Sequence, residues 1–178
     1  DDSHPCIHVD MSRCIDCFRC VRICEEVAGR FVWKAWNRGD RTEIAPAGLV
    51  PLAESACVSC GACVDACPSG ALLDKSALHS PAAQDEVRTV CPYCGTGCEM
   101  HVGRRDDRLV SARPVIDAPV NRGHLCVKGR YGWDFVHAND RITRPMIRSG
   151  DSWTPVSWPQ AIEFVASRFR EIVTQHGP

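Results

Sequence analysis

The sequence predicts an α+β fold organised by short loops of cysteine ligands rather than by one large apolar core. Three observations carry that prediction. Two cysteine runs share one spacing, Cys14, Cys17, Cys20, Cys24 and Cys57, Cys60, Cys63, Cys67. A third group, CPYCGTGC at residues 91–98, sits among short alternating strand patterns. The C-terminal stretch carries apolar residues at helical spacing.

Both runs read C-x2-C-x2-C-x3-C, an internal repeat that predicts two pseudo-equivalent halves, each a ligand loop leading into a short helix. Three closely spaced thiolates can wrap one face of a cubane, whereas a cysteine one helical turn further on points away from it. The fourth cysteine of each run is therefore expected to reach the other half's cluster. One cluster then takes Cys14, Cys17, Cys20 and Cys67, and the other takes Cys57, Cys60, Cys63 and Cys24. Between the runs, residues 31–36 and 42–44 flank the turn-like Asn37-Arg38-Gly39-Asp40 and predict a β-hairpin. Residues 74–86, DKSALHSPAAQDE, are polar and small without an apolar period and read as connecting sequence. Short strands are expected over 99–103 and 109–112, around Arg105-Asp106-Asp107, with a helix over 130–136. A further hairpin, 146–148 with 154–156, is expected around Ser149-Gly150-Asp151. Ser157 and Gln160 have capping-box spacing, and Ile162, Val165, Ala166, Phe169, Ile172 and Val173 follow as an amphipathic stripe that needs a partner surface.

The chain has 178 residues, enough for one good-sized domain or two small ones, and its thirteen cysteines are far above ordinary usage. Close C-x-x-C runs converge on a metal and make poor disulfide staples, which stabilise mainly by closing long loops. Zinc sites usually pair two knuckles across a dozen or more residues, so the eight-position repeat favours iron-sulfur chemistry. In the third group the missing thiolate is Cys126, twenty-seven residues after Cys98. Spacing by itself thus supports three [4Fe-4S] clusters on Cys14, Cys17, Cys20 and Cys67, on Cys57, Cys60, Cys63 and Cys24, and on Cys91, Cys94, Cys98 and Cys126. Their chemistry is one-electron transfer. The formal charge is −1. Three oxidised cubanes on thiolates would take it to roughly −7, which excludes a nucleic-acid binder. No apolar run reaches the length of a membrane span and no signal-peptide pattern is present, so a cytoplasmic protein is expected.

Residues 7–75 resemble the bacterial two-cluster ferredoxins, with one departure: Glu25 follows Cys24 where those proteins usually carry Pro. CPYCGTGC followed by NRGHLCVKGRYGWDF resembles the N-terminal iron-sulfur domain of molybdenum or tungsten bis-pterin oxidoreductases. The wording is most similar to the large subunit of soluble NAD-linked formate dehydrogenases. The resemblance implies a ferredoxin-like domain at 1–78, a linker at 79–86, a small β-rich [4Fe-4S] domain at 87–141 and the start of a pterin-binding catalytic domain at 142–178. It further implies a Mo- or W-bis-pterin guanine dinucleotide in the parent enzyme, formate oxidation or carbon dioxide reduction, and a flavin/iron-sulfur NAD-reducing subunit or a ferredoxin as partner. The catalytic metal ligands of that family lie downstream of the matched region, so no catalytic residue is assigned. Lys128, in Cys-Val-Lys-Gly, is the counterpart of a lysine between cubane and pterin, where a cation would stabilise arriving negative charge.

Cys6 is left as a spare thiol packed like a small hydrophobe, despite His4 and His8 beside it. His101 and His124 are expected to be ordinary surface or core residues, Trp33, Trp36 and Trp133 packing groups, and Arg104, Arg105 and Arg108 a solvated hairpin face. Two rival readings stand beside the first. One is a non-catalytic electron-transfer subunit like the large iron-sulfur subunit of respiratory NADH dehydrogenase, from which Lys128 is the discriminator. The other is a zinc-stabilised interaction module.

Overall fold

A computed structural model describes residues Asp1 to Pro178 and divides them into two compact units, Asp1–Val136 and His137–Pro178. The first unit opens with β1 (Ile7–Val9), followed by α1 (Arg19–Arg22), β2 (Trp33–Trp36), β3 (Glu43–Pro46), α2 (Ala62–Ala66), β4 (Leu72–Asp74) and α3 (Lys75–His79). β1 pairs antiparallel with β4, Val9 opposite Leu72 and Ile7 opposite Asp74, so the two ends of the cysteine-rich region are stitched together. β2 and β3 form the expected hairpin, Trp33 opposite Pro46. Ile7, Leu72, Leu52 and Trp33 are the most deeply buried large side chains here, and they share one core with Val9, Val32, Ile44, Cys24 and Cys63. Burying each such aliphatic side chain is worth about 1.5–3 kcal/mol, so a core this small leaves room for ligand bonds to contribute to stability.

The repeat is visible in the backbone. Asp16 and Ser59, each two residues after the first cysteine of a run, have φ of 52° and 55°. Phe18 and Gly61, each following the second cysteine, cap α1 and α2 with φ of 59° and 72°. The halves diverge at the fourth cysteine. α1 runs on through Cys24 as a π-helical turn, Ile23–Val27, which Glu25 permits because it has a backbone N–H. α2 stops at Ala66, just before Cys67 and Pro68, whose ring has no N–H to extend a helix.

Next come β5 (Asp85–Val90), β6 (Glu99–Arg105) and β7 (Arg108–Pro114), an antiparallel meander with β6 in the centre, and then α4 (Val127–Tyr131). Met100, Ala112 and Leu125 form its core, with Cys91, Cys98 and Trp133 packed against them. Two expectations need correction. Residues 74–86 are not all connecting sequence, since α3 and the start of β5 lie there. The helix expected over 130–136 is instead α4 ending at Tyr131 and a separate 3-10 turn, Asp134–His137. No apolar alternation marks β5 in the sequence, because all six of its residues are exposed.

In the second unit β8 (Met146–Ser149) and β9 (Ser152–Pro155) form a hairpin around Gly150. α5 (Trp158–His176) begins with both halves of the capping box on Ser157 and Gln160. Ile162, Val165, Phe169, Ile172 and Val173 of its stripe are exposed. The architecture is α+β, with a ferredoxin-like N-terminal region and a β-rich region of molybdopterin-oxidoreductase type after it.

Candidate functional site

The repeat's loops bring the cysteines into two groups. Cys14, Cys17, Cys20 and Cys67 line one small cavity together with Ile44 and Leu72. Cys57, Cys60, Cys63 and Cys24 line a second, together with Ile7 and Trp33. Each cavity is lined by three thiols from one loop and one from the other half. Burial pushes the Cys20 thiol up to about 11, and the neighbouring Cys14, Cys17 and Cys67 push the same way. Burial raises Cys63 further still, with Cys57, Cys60 and Cys24 adding to it and a hydrogen bond from Trp33 opposing it. A thiol in such surroundings resists ionising until a cation shares its charge. Backbone N–H groups are already aimed at sulfur, Val32 at Cys24 and Ser59 at Cys57, both at 3.4 Å.

The third group is assembled by the β5-β6 connection and α4. The Cys91 N–H donates to the Cys98 carbonyl at 2.8 Å, closing the loop, and Cys126 caps α4. Burial raises the Cys98 thiol, and Cys91, Cys94 and Cys126 are near enough to raise it more. Gly129 lets α4 approach: a Cβ there would stand 3.3 Å from the Cys91 sulfur and from Leu125. Lys128 is exposed and close enough to Cys94 to favour its thiolate, after the larger effect of the Thr96 hydroxyl. No three His, Cys, Asp or Glu side chains meet where a single metal ion would sit.

The secondary candidates fall into place. Cys6 packs against the first core, and burial, then Asp74, raises its thiol. His8 faces Asp2 at 3.3 Å. His4 is buried; its Nδ1 accepts from the Cys6 and Ile7 N–H groups, which leaves the proton on Nε2, donated to Ser59 Oγ at 3.0 Å. Sequence reasoning missed this brace on the Cys57–Cys60 loop, because its partners are fifty-five residues apart. Trp33 is packed at 1% exposure, and Trp133 donates to the Arg130 carbonyl at 2.9 Å. Arg104 pairs with Asp85 and Asp107, and Arg105 donates to the Ala82 carbonyl, as befits a solvated hairpin face.

Such an arrangement of thiol-lined cavities on small α+β scaffolds defines an iron-sulfur protein of the electron-transfer class. Residues 4–73 match the family model described as NADH-quinone oxidoreductase subunit 3, ferredoxin-like domain. Residues 84–138 match the molybdopterin oxidoreductase Fe4S4 domain, and residues 141–178 match molybdopterin oxidoreductase. An NADH-quinone oxidoreductase subunit of Rhizobium meliloti is 42% identical over 92% of this chain and 19% of its own length. Probable oxidoreductase YjgC of Bacillus subtilis is 32% identical over 100% of this chain and 22% of its own. A putative formate dehydrogenase of Staphylococcus aureus is 27% identical over 99% and 22%. Its successive segments thus match ferredoxin-like and molybdopterin-oxidoreductase iron-sulfur-binding domains, and the chain is related both to formate dehydrogenase-like proteins and to NADH dehydrogenase subunits. It spans about a fifth of the length of these relatives. No helix is long and apolar enough to cross a membrane.

Proposed function

We propose that this chain is the electron-carrying segment of an NADH-linked iron-sulfur subunit, similar in role to the large iron-sulfur subunit of respiratory NADH dehydrogenase. Three [4Fe-4S] clusters are assigned to Cys14, Cys17, Cys20 and Cys67, to Cys57, Cys60, Cys63 and Cys24, and to Cys91, Cys94, Cys98 and Cys126. The observation that carries this reading is the pair of cavities, each walled by four thiols drawn from both halves of the repeat. Four thiolates around zinc close on one ion at about 2.3 Å, whereas here no three thiols meet where a single ion would sit. When bound, such a cluster takes up and releases one electron at a time. The chain's own residues keep it dry with Ile7, Trp33, Ile44 and Leu72 and direct N–H groups at its sulfurs.

Both the 42% identity to an NADH-quinone oxidoreductase subunit and the ferredoxin-like match favour this role over the one expected from the sequence alone. The proposed partner is a flavin/iron-sulfur NAD-reducing subunit or a ferredoxin, in the cytoplasm. The domain limits proposed are 1–78, 79–86, 87–141 and 142–178.

Formate dehydrogenase remains the second reading. It is favoured by Lys128 beside Cys94 and by the molybdopterin oxidoreductase match at 141–178. There the same clusters would serve a Mo- or W-bis-pterin guanine dinucleotide held by the remainder of the catalytic subunit. Metal analysis of the full-length parent separates the two, since molybdenum or tungsten at one per chain belongs only to the second.

Iron and acid-labile sulfide should each approach about twelve per chain. Cys24→Ser and Cys67→Ser should each remove about four irons, whereas Cys6→Ser should remove none. A wild-type value near eight, or iron loss on Cys6→Ser, would refute the assignment.

A further inference from the structure

Arg130 is 2% exposed and lies outside the thiol-lined cavities. It stands on α4 one turn after Cys126, whose carbonyl accepts its N–H at 3.1 Å. Its guanidinium grips two carboxylates. Nη1 and Nη2 donate to Asp65 at 2.6 and 2.8 Å, and Nη2 and Nε donate to Asp74 at 2.8 and 3.3 Å. Asp65 lies on α2 midway between Cys63 and Cys67, and Asp74 ends β4 and also accepts from Tyr131. Burial alone would depress the basicity of Arg130, but Asp65 and Asp74 outweigh it, and the guanidinium is held firmly charged. Beneath it lies Gly61, next to Cys60. A Cβ at Gly61 would fall 2.2 Å from Nε, 2.4 Å from Cδ and 2.7 Å from Cζ of Arg130.

One side chain therefore connects the helix that starts at Cys126 to the loop and helix that carry Cys60, Cys63 and Cys67. We propose that Arg130 is the positioning residue that sets electron transfer between the Cys126 thiolate set and the Cys24, Cys57, Cys60 and Cys63 set. This rests on the three-cluster reading above. Electron tunnelling falls steeply with distance, and Arg130 fixes the approach of the two sets through a planar fork that grips carboxylates on two elements at once. Its charge counts as well. With Asp65 and Asp74 it forms a group of net charge −1, and without it two carboxylates would face the same ligand loop unpaired, making reduction there less favourable.

The test uses the full-length parent enzyme, anaerobically purified, as wild type, Arg130→Met, Arg130→Lys and Asp65→Asn. Iron content, cluster midpoint potentials, the magnetic interaction between the two reduced sets and the rate of electron equilibration after photoreduction are measured. Arg130→Met should retain iron, weaken the magnetic interaction, lower the potential of the Cys57 set and slow equilibration at least about tenfold. Arg130→Lys should restore the potential more than the rate, because it returns the charge without the fork. If Arg130→Met does not fold, Asp65→Asn, nearly isosteric, should raise the potential and slow equilibration less. Unchanged rate and magnetic interaction in Arg130→Met, or in Asp65→Asn where that alone folds, overturn the proposal. So does loss of iron in both, which would make the group a scaffold only. Wild-type iron well below about twelve refutes the three-cluster reading instead, and this proposal falls with it.

Discussion

Gly61→Ala should be among the most damaging single-methyl changes in the molecule. The added Cβ has nowhere to go, since three atoms of the Arg130 side chain lie 2.2 to 2.7 Å from its position. Conformation adds to the cost. Gly61 has φ of 72°, where an L residue loses about 1–2 kcal/mol. Phe18, at the equivalent place in the other half, tolerates φ of 59°, so the overlap rather than the backbone makes glycine necessary at 61. Displacing the guanidinium separates it from Asp65 and Asp74, and breaking a buried pair costs about 3–5 kcal/mol. The lower end applies, because Asp65 keeps 35% of its side-chain surface in water. The sum is about 4–5 kcal/mol. Denaturation of the iron-loaded protein, followed anaerobically by the loss of cluster absorbance, should show a large fall in midpoint. In an Arg130→Ala background, which removes all three of those atoms, the same glycine change should cost only the backbone part, about 1–2 kcal/mol. An equal cost in the two backgrounds would refute the overlap argument.

Lys128→Met should leave folding and iron content intact while lowering the potential of the Cys91 set, as measured by redox titration. Because Lys128 is exposed, solvent screens it, and the slowing of electron transfer through that set should stay within about tenfold and shrink with added salt. No change in potential at low salt would make it an ordinary surface lysine. Burial, and then the Lys75 charge, hold the His4 pKa below its ordinary 6.5. The unfolded chain therefore takes up the proton first as pH falls, so stability is full above 6.5 and is lost from there down to the lower folded value. Melting temperature should drop between about pH 7.5 and pH 5.5. The drop should be smaller in His4→Gln; identical profiles would remove His4 from the account.

The loops that carry the thiols were legible because cysteine spacing is a local signal: three cysteines within seven residues favour a loop that leads into a short helix. Hairpins around Asn37-Arg38-Gly39-Asp40 and Ser149-Gly150-Asp151, and the capping box at Ser157, were legible for the same reason. What sequence could not disclose depends on residues far apart in the chain. Arg130 reaches Asp65 and Asp74 across more than fifty residues, and His4 reaches Ser59 across a similar span. Glycine at 61 reads in the sequence like any loop glycine, and only the Arg130 side chain above it gives it a steric role. The choice between the two enzyme contexts was equally hidden, since the same domains occur in both kinds of relative.

The exchange of fourth cysteines also bears on how the protein is made. A ribosome delivers Cys14, Cys17 and Cys20 long before Cys67, so the first cavity to begin is missing a wall until the second run has been synthesised. The second cavity needs Cys24, already waiting, and is complete once Cys63 appears. The order of completion is thus the reverse of the order of appearance. A chain interrupted between the runs presents the four bare thiols of the first run and no finished cavity, and a cell that supplies iron-sulfur clusters gains nothing by loading it before residue 63 has emerged.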